Sequence, residues 1–215
     1  MNPVHHPEEE DLLSYASGTS PEWLSLVVAC HLTYCPECRS GVELFDDLGG
    51  LLLDSLDART PGAVTVKASD VMDRPRRPES AAAPELAVPG VPRPLAPYVA
   101  PRGGRFRFLA PGLRHIPLNF SVGGVPARII RFAAGFGIPE HRHQGLEMLL
   151  VLDGTLHDLT TGESFRKGDL SRREADTRHA QAIDRSEPCT CLVVSTAPVV
   201  PSTWMGRILK AITGV

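Results

Sequence analysis

The chain has 215 residues, 42% hydrophobic and 22% charged, the composition of an ordinary soluble protein rather than of a disordered tail or a membrane bundle. A net charge of −3 supplies no global basic field, which argues against direct nucleic-acid binding and points to protein, metal or small-molecule partners. No apolar run approaches the roughly 18–20 residues that cross a bilayer, and the N-terminal MNPVHHPEEE has neither the basic segment nor the apolar core of a secretion signal. A cytoplasmic address with reduced thiols is therefore expected. Five cysteines is an odd count, and two of them lie at Cys-x-x-Cys spacing beside histidines, so metal is a better reading than a disulfide framework.

In chain order, Pro7-Glu8, Pro21-Glu22 and Pro36-Glu37 each read as a helix start. Proline suits the first helical position because its missing N–H needs no partner there, and an early glutamate meets the positive end of the helix dipole. His6, Ser20 and Cys35 precede them as candidate caps. The spacing predicts helices from about Pro7 to Ser17, stopping near Gly18, from Pro21 to Thr33, and from Pro36 to Leu56. Leu12, Leu13, Leu24, Val27, Val28, Leu44, Leu48, Leu51 and Leu52 recur at three- and four-residue steps, as a helix burying one face requires. A short helix is expected over Ala68–Asp73.

Nine prolines fall between Pro61 and Pro101, with a basic cluster at Arg74, Arg76 and Arg77 and no helical or strand periodicity. This stretch reads as an extended spacer between two domains, because a structureless segment of that length is improbable inside one. The division expected is a helical domain over 1–74, a Pro-rich linker over 75–101 and a second domain over 102–215.

Beyond the linker, short Val-, Ile-, Leu- and Phe-rich runs alternate with Gly, Pro or Asp at intervals of about ten residues, the rhythm of an antiparallel β-sandwich or barrel. Ala127–Ala133, Leu146–Leu152, Thr155–Leu159 and Cys191–Ser195 are examples. A terminal helix is expected over Thr203–Ile212. The fold class is thus α + β multidomain: a small zinc-stabilised helical bundle followed by an antiparallel β-sandwich or barrel.

Two clusters carry chemistry. His31, Cys35 and Cys38 form His-x-x-x-Cys-x-x-Cys where the second and third helices meet, and His6 opens the first helix. Two thiolates and two imidazoles suit a closed structural Zn2+ site that holds helix angles and does no chemistry. A domain of this size has a marginal core, and structural zinc contributes on the order of 10 kcal/mol to folding. The alternatives are a redox Cys-x-x-Cys, although no strand precedes it as a thioredoxin-type pair would require, and His5 in place of His6 as first ligand. Cys30 points away from His31 on a helix and reads as a buried apolar residue.

In the second cluster His141 and His143 alternate on a strand, so their rings share one face, and Glu147 follows a turn at Gln144-Gly145. His179 can add a fourth ligand from another strand after the Gly168-Asp169 turn. Three imidazoles and a carboxylate suit Zn2+ or another divalent transition metal.

Gly135, His141, His143, Glu147 and Gly154 match the first motif of the cupin superfamily at each position. Gly168 and His179 keep the spacing of its second motif, with Glu174, Asp176 and Ile183 in place of proline, glycine and asparagine. Joined to the His-x-x-x-Cys-x-x-Cys module, the chain resembles the ChrR-type anti-sigma factors. That resemblance implies a zinc-binding domain that sequesters a group IV (extracytoplasmic-function) sigma factor, and a cupin-type domain needed for the response to singlet oxygen or organic hydroperoxides. It places the N-terminal ligands on His6, His31, Cys35 and Cys38, the cupin ligands on His141, His143, Glu147 and His179, and a late Cys-x-Cys pair on Cys189 and Cys191.

The expected mechanism is occlusion: surplus apolar residues along Leu44–Leu56, with the short helix near Val71, would cover the surface by which a sigma factor grips core polymerase. The competing occupants are the domain's own core and a second copy of the chain, as in a homo-oligomer. Cys189 and Cys191 face one side of a strand and could be redox-active or inert core thiols. No catalytic residues are assigned. The alternatives are a cupin metalloenzyme such as a small dioxygenase with a zinc module for assembly, and a zinc-dependent scaffold that dimerises through its helices.

Overall fold

The structure, a computed structural model, describes residues 2–55, 91–99, 104–118, 125–197 and 199–201. Three helices come first: α1 (Glu9–Ala16), α2 (Glu22–Leu32) and α3 (Pro36–Ser55). A 3-10 turn at Arg93–Leu95 runs into the short α4 (Ala96–Val99). Eleven strands follow: β1 (Arg107–Ala110), β2 (Leu113–Leu118), β3 (Ala127–Phe132), β4 (Gly137–His143), β5 (Glu147–Asp153), β6 (Thr155–Asp158), β7 (Ser164–Arg166), β8 (Leu170–Arg173), β9 (Arg178–Ile183), β10 (Cys189–Ser195) and β11 (Val199–Pro201). The helices expected over Ala68–Asp73 and Thr203–Ile212 lie outside the described residues. Among those described, no helix is long and apolar enough to cross a membrane.

The helices start later than their prolines suggested, except for α3, which begins at Pro36. Glu8 is the N-terminal cap of α1 and Pro21 that of α2, with no side-chain capping bond at either. His6 is not a cap because its ring turns toward Cys35 and Cys38 instead. Acidic residues fill the first turn of α1, as the helix dipole favours. Gly18, at φ +69°, takes the left-handed conformation that ends this helix.

The strands form two antiparallel sheets, ordered β1-β2-β3-β10-β5-β8 and β11-β4-β9-β6-β7, the cupin-type architecture that the motif spacing predicts. Their inner faces meet over Leu113, Phe132, Leu149, Val151, Leu156, Phe165 and Ile183. The outer face of the six-stranded sheet is apolar as well. Met148, Leu150, Leu152, Leu170, Leu192 and Val194 pack there with Leu12, Leu24, Leu26, Val27 and Val28 of the helices in one continuous core. Because β5 is covered on both sides, Glu147 to Leu152 are all buried and the strand reads as an unbroken apolar run instead of an alternation.

The residues expected to be extended linker include 91–99, and these are not extended. Leu95 and Val99, four apart and so on one helical face, are fully buried in the same core, and Tyr98 donates to Glu22 Oε1 at 3.0 Å. Arg172 of β8 grips α1, donating to both carboxylate oxygens of Asp11 at 2.9 and 3.2 Å and lying 3.3 Å from Glu8.

This shared core has a mechanical consequence. Leu150→Ala, at a fully buried position within it, is expected to cost about 2–5 kcal/mol. Urea unfolding followed by far-UV circular dichroism and by tryptophan fluorescence should shift both curves together. A shift in only one would contradict the single core.

Candidate metal centres

The turn between α2 and α3 brings His31, Cys35 and Cys38 together, and the segment before α1 lays His6 across them. The four donor atoms lie within 4.8 Å of one another. His6 Nδ1 is 3.4 Å from Cys35 Sγ and 3.3 Å from Cys38 Sγ, and His31 Nε2 is 3.3 Å from Cys38 Sγ. A tetrahedral zinc ion with Zn–S near 2.3 Å and Zn–N near 2.0 Å sets N to S edges of about 3.5 Å, so the donor set fits that ion. His5 lies apart, its ring against Phe165 with centroids 4.4 Å apart.

Orientation of His31 comes from the barrel. Its Nδ1–H donates to the Gly168 carbonyl at 2.8 Å, which leaves the Nε2 lone pair aimed at the thiols. Burial pushes the His31 pKa down to about 4 and the Cys38 thiol up to about 12. The imidazole is therefore available as a neutral ligand, while deprotonating the buried thiol calls for a cation beside it. The Cys38 backbone N–H donates to Cys35 Sγ at 3.4 Å.

The second cluster sits between the sheets. His141 and His143 come from β4, His179 from β9 and Glu147 from β5, with donors again within 4.8 Å of one another. His141 and His179 are direct cross-strand partners, set opposite each other beyond a register shift in β4 between Ile138 and His141. His141 Nδ1–H donates to Pro139 O at 2.9 Å and His179 Nδ1–H to Asp158 Oδ2 at 3.1 Å. Both rings thus turn an unprotonated Nε2 inward, and these nitrogens stand 3.0 Å apart. His143 Nε2 is 2.7 Å from His179 Nε2, and His143 Nδ1 is a buried polar atom without a hydrogen-bond partner. Facing lone pairs repel unless a proton or a cation lies between them, so the site's own chemistry fits a divalent ion.

Burial lowers the pKa values of all three imidazoles, His143 to about 3, and raises that of Glu147 to about 7 against the opposing pull of Arg173. Asp158 is held at about 2: burial alone would raise it, but the backbone N–H groups of Thr160 and Thr161, His179 and Arg173 together outweigh that.

Sequence reasoning passed over Asp158, Gly168, Asp169 and Arg173 as partners of these clusters. Asp158 had one local signal, a strand end running into Thr160-Thr161-Gly162, which forms an Asx-type turn. Cys189 and Cys191 point into the inter-sheet core with their sulfurs 3.5 Å apart. Both are fully buried, and burial followed by the neighbouring Cys189 pushes the Cys191 thiol well above its ordinary range.

Residues 98–199 match the family described as the ChrR cupin-like domain. The anti-sigma-E factor ChrR of Cereibacter sphaeroides is 33% identical to this chain over 210 residues, covering 96% of each. The crystal structure of Rhodobacter sphaeroides SigE in complex with the anti-sigma ChrR superposes with a TM-score of 0.72 at 33% identity, covering 90% of this chain and 100% of that one.

Metal affinity at the second cluster should depend on pH through Glu147. A carboxyl group raised to about 7 must lose its proton to ligate, while imidazoles with lowered values stay neutral. Affinity is expected to be level above pH 7 and to fall about tenfold per unit below it. Chelator competition between pH 8 and 6 checks this, and a flat profile would contradict it.

Proposed function

The chain belongs to the ChrR anti-sigma factor family, and from that premise we propose that it sequesters a group IV sigma factor, so repressing transcription, and releases it when the barrel reports singlet oxygen or related oxidative stress. The observation that carries this reading is the face of α3 left exposed among the described residues. Cys38 faces the core and Val42 and Phe45 pack partly against it. Leu44, Leu48, Leu51, Leu52 and Leu53 are left between 50% and 70% exposed. Leu44, Leu48, Leu51 and Leu52 follow the i, i+4, i+7, i+8 spacing of one helical stripe, the pattern by which a helix enters an apolar groove. Such a stripe is costly to leave in water and marks a docking surface.

His6, His31, Cys35 and Cys38 would hold Zn2+ in a closed site, fixing the angle at which α3 leaves α2. With four protein ligands no position is left for substrate, so the ion there is structural. His141, His143, Glu147 and His179 would hold Zn2+ or another divalent transition metal. A bound ion supplies a Lewis-acid centre and the positive charge that keeps Glu147 ionised. The residues around it orient the ligands: Pro139 and Asp158 fix two imidazole tautomers, and Arg173 tempers Glu147. A four-ligand set favours a sensing over a catalytic role. Cys189 and Cys191 are fully buried in the inter-sheet core, where burial keeps the Cys191 thiol protonated, so of the two readings of this pair the inert core thiols are favoured.

The helical module over 1–74 and the barrel over 102–215 are read as separate functional parts, with the stretch between them contributing the anchor at Leu95 and Val99. Sequestration takes place in the cell interior, where the sigma factor works.

Leu48→Asp combined with Leu52→Asp, at exposed positions, should leave the fold unchanged and lower affinity for the co-expressed group IV sigma factor by more than about a hundredfold, as loss of central apolar anchors does. Co-purification followed by titration measures it. Unchanged affinity would remove α3 as the docking surface.

A further inference from the structure

The segment Gly168–Arg173, which links β7 to β8 and runs along β8, touches the surroundings of both clusters. At its start, the Gly168 carbonyl accepts from His31 Nδ1–H at 2.8 Å. Asp169 Oδ1 accepts the backbone N–H groups of Val4 and His5 at 2.7 and 3.0 Å, immediately before His6, and its Oδ2 accepts that of Arg166 at 2.7 Å. Leu170 N–H then donates to the His5 carbonyl at 3.1 Å, and Arg172 holds Asp11. At the far end Arg173 donates to Asp158 Oδ2 at 3.0 Å, the same oxygen that orients His179. Arg173 is also the cross-strand partner of Glu147. Five of the six residues of this segment thus make contacts that lead from His31 and the residues just before His6 to Glu147 and to Asp158, which orients His179.

The fit at Gly168 is close. Its φ is +91°, and a Cβ there would stand 2.7 Å from Pro3 and 2.8 Å from Tyr34. The turn can reach the helical cluster only because this residue has no side chain. Asp169 is buried, and each of its oxygens is committed to backbone donors, so it cannot move without leaving those donors unpaired.

We propose that Gly168–Arg173 is a common positioning shell for both clusters, so that ion occupancy in the barrel raises ion affinity at His6, His31, Cys35 and Cys38. The inference rests on the metal reading above and adds a coupling between two sites which that reading treats separately. By linkage the effect is reciprocal: an ion at either cluster tightens the other by the same factor. Loss or rearrangement of the barrel ion then loosens the zinc-held helices directly, through main-chain and carboxylate contacts rather than through the Pro-rich stretch.

The test uses full-length protein and Co2+ as probe, because thiolate-to-cobalt absorption reports only the cluster that contains Cys35 and Cys38. A wild-type chain that gives no such band overturns the metal reading itself, whatever the variants do. Given the band, Asp169→Asn should weaken cobalt affinity at the thiolate cluster by about 10–100-fold, the usual cost of an outer-shell change. His143→Ala, which removes a barrel ligand remote from the helices, should weaken it by about tenfold, and Asp158→Asn should do the same. Affinities within twofold of wild type for His143→Ala and Asp158→Asn would overturn the coupling. Should Asp169→Asn fail to fold, those two variants still decide, since neither touches the helical contacts.

Discussion

A sheet with two apolar faces cannot stand in water, and that constraint organises this protein. The inner face of the six-stranded sheet is covered by the second sheet, and among the described residues the outer face is covered by the helices. Once α1 and α2 are laid there, the turn at Gly168-Asp169 that carries the chain from one sheet to the other falls against the N-terminal His/Cys cluster, and a residue without a side chain becomes necessary at the contact. A tethered helical domain swinging on a spacer is therefore not this conformation of the molecule. The two halves share a core, and whatever strains one sheet is felt at the helices.

Both clusters solve the same physical problem in the same way. Burial makes imidazoles neutral, keeps a thiol protonated and raises a carboxyl, each change lowering the cost of an apolar surrounding when no ion is present. An outward Nδ1–H bond then fixes the tautomer: to Gly168 for His31, to Pro139 for His141 and to Asp158 for His179. The inward nitrogens are left as lone pairs facing one another or facing sulfur, an arrangement a cation relieves. The difference lies in who supplies the outer partner. In the barrel it comes from the strands' own neighbourhood, whereas for His31 it comes from a residue 137 positions away.

Much of this was legible in the sequence because its signals are local. Pro-Glu starts marked the helices, alternation put His141 and His143 on one face, and glycine framing located the strand ends. Only α3 starts at its proline; α1 starts two residues late, with His6 drawn into the cluster and Glu8 at the cap, and α2 one residue late, with Pro21 itself at the cap. Proline density hid the packed turns at 93–99, where Leu95 and Val99 anchor a segment whose composition suggested an extended chain. The partnership of Asp169 with Val4 and His5, and of Arg172 with Asp11, left no trace in the sequence, since it joins main-chain groups and charges more than 160 residues apart. The choice between His5 and His6 was open for a related reason: it depends on Phe165 receiving one ring so that the other can turn toward the thiols.

Amide hydrogen exchange at Val4, His5 and Leu170 in the full-length protein reads the central contact most directly, because these N–H groups donate to Asp169 and to His5 across the boundary between helices and barrel. The account predicts protection matching that of the β5 amides, so that the N-terminal strap opens only when the barrel does. Exchange at the rate of a solvent-exposed chain end, with β5 still protected, would contradict it.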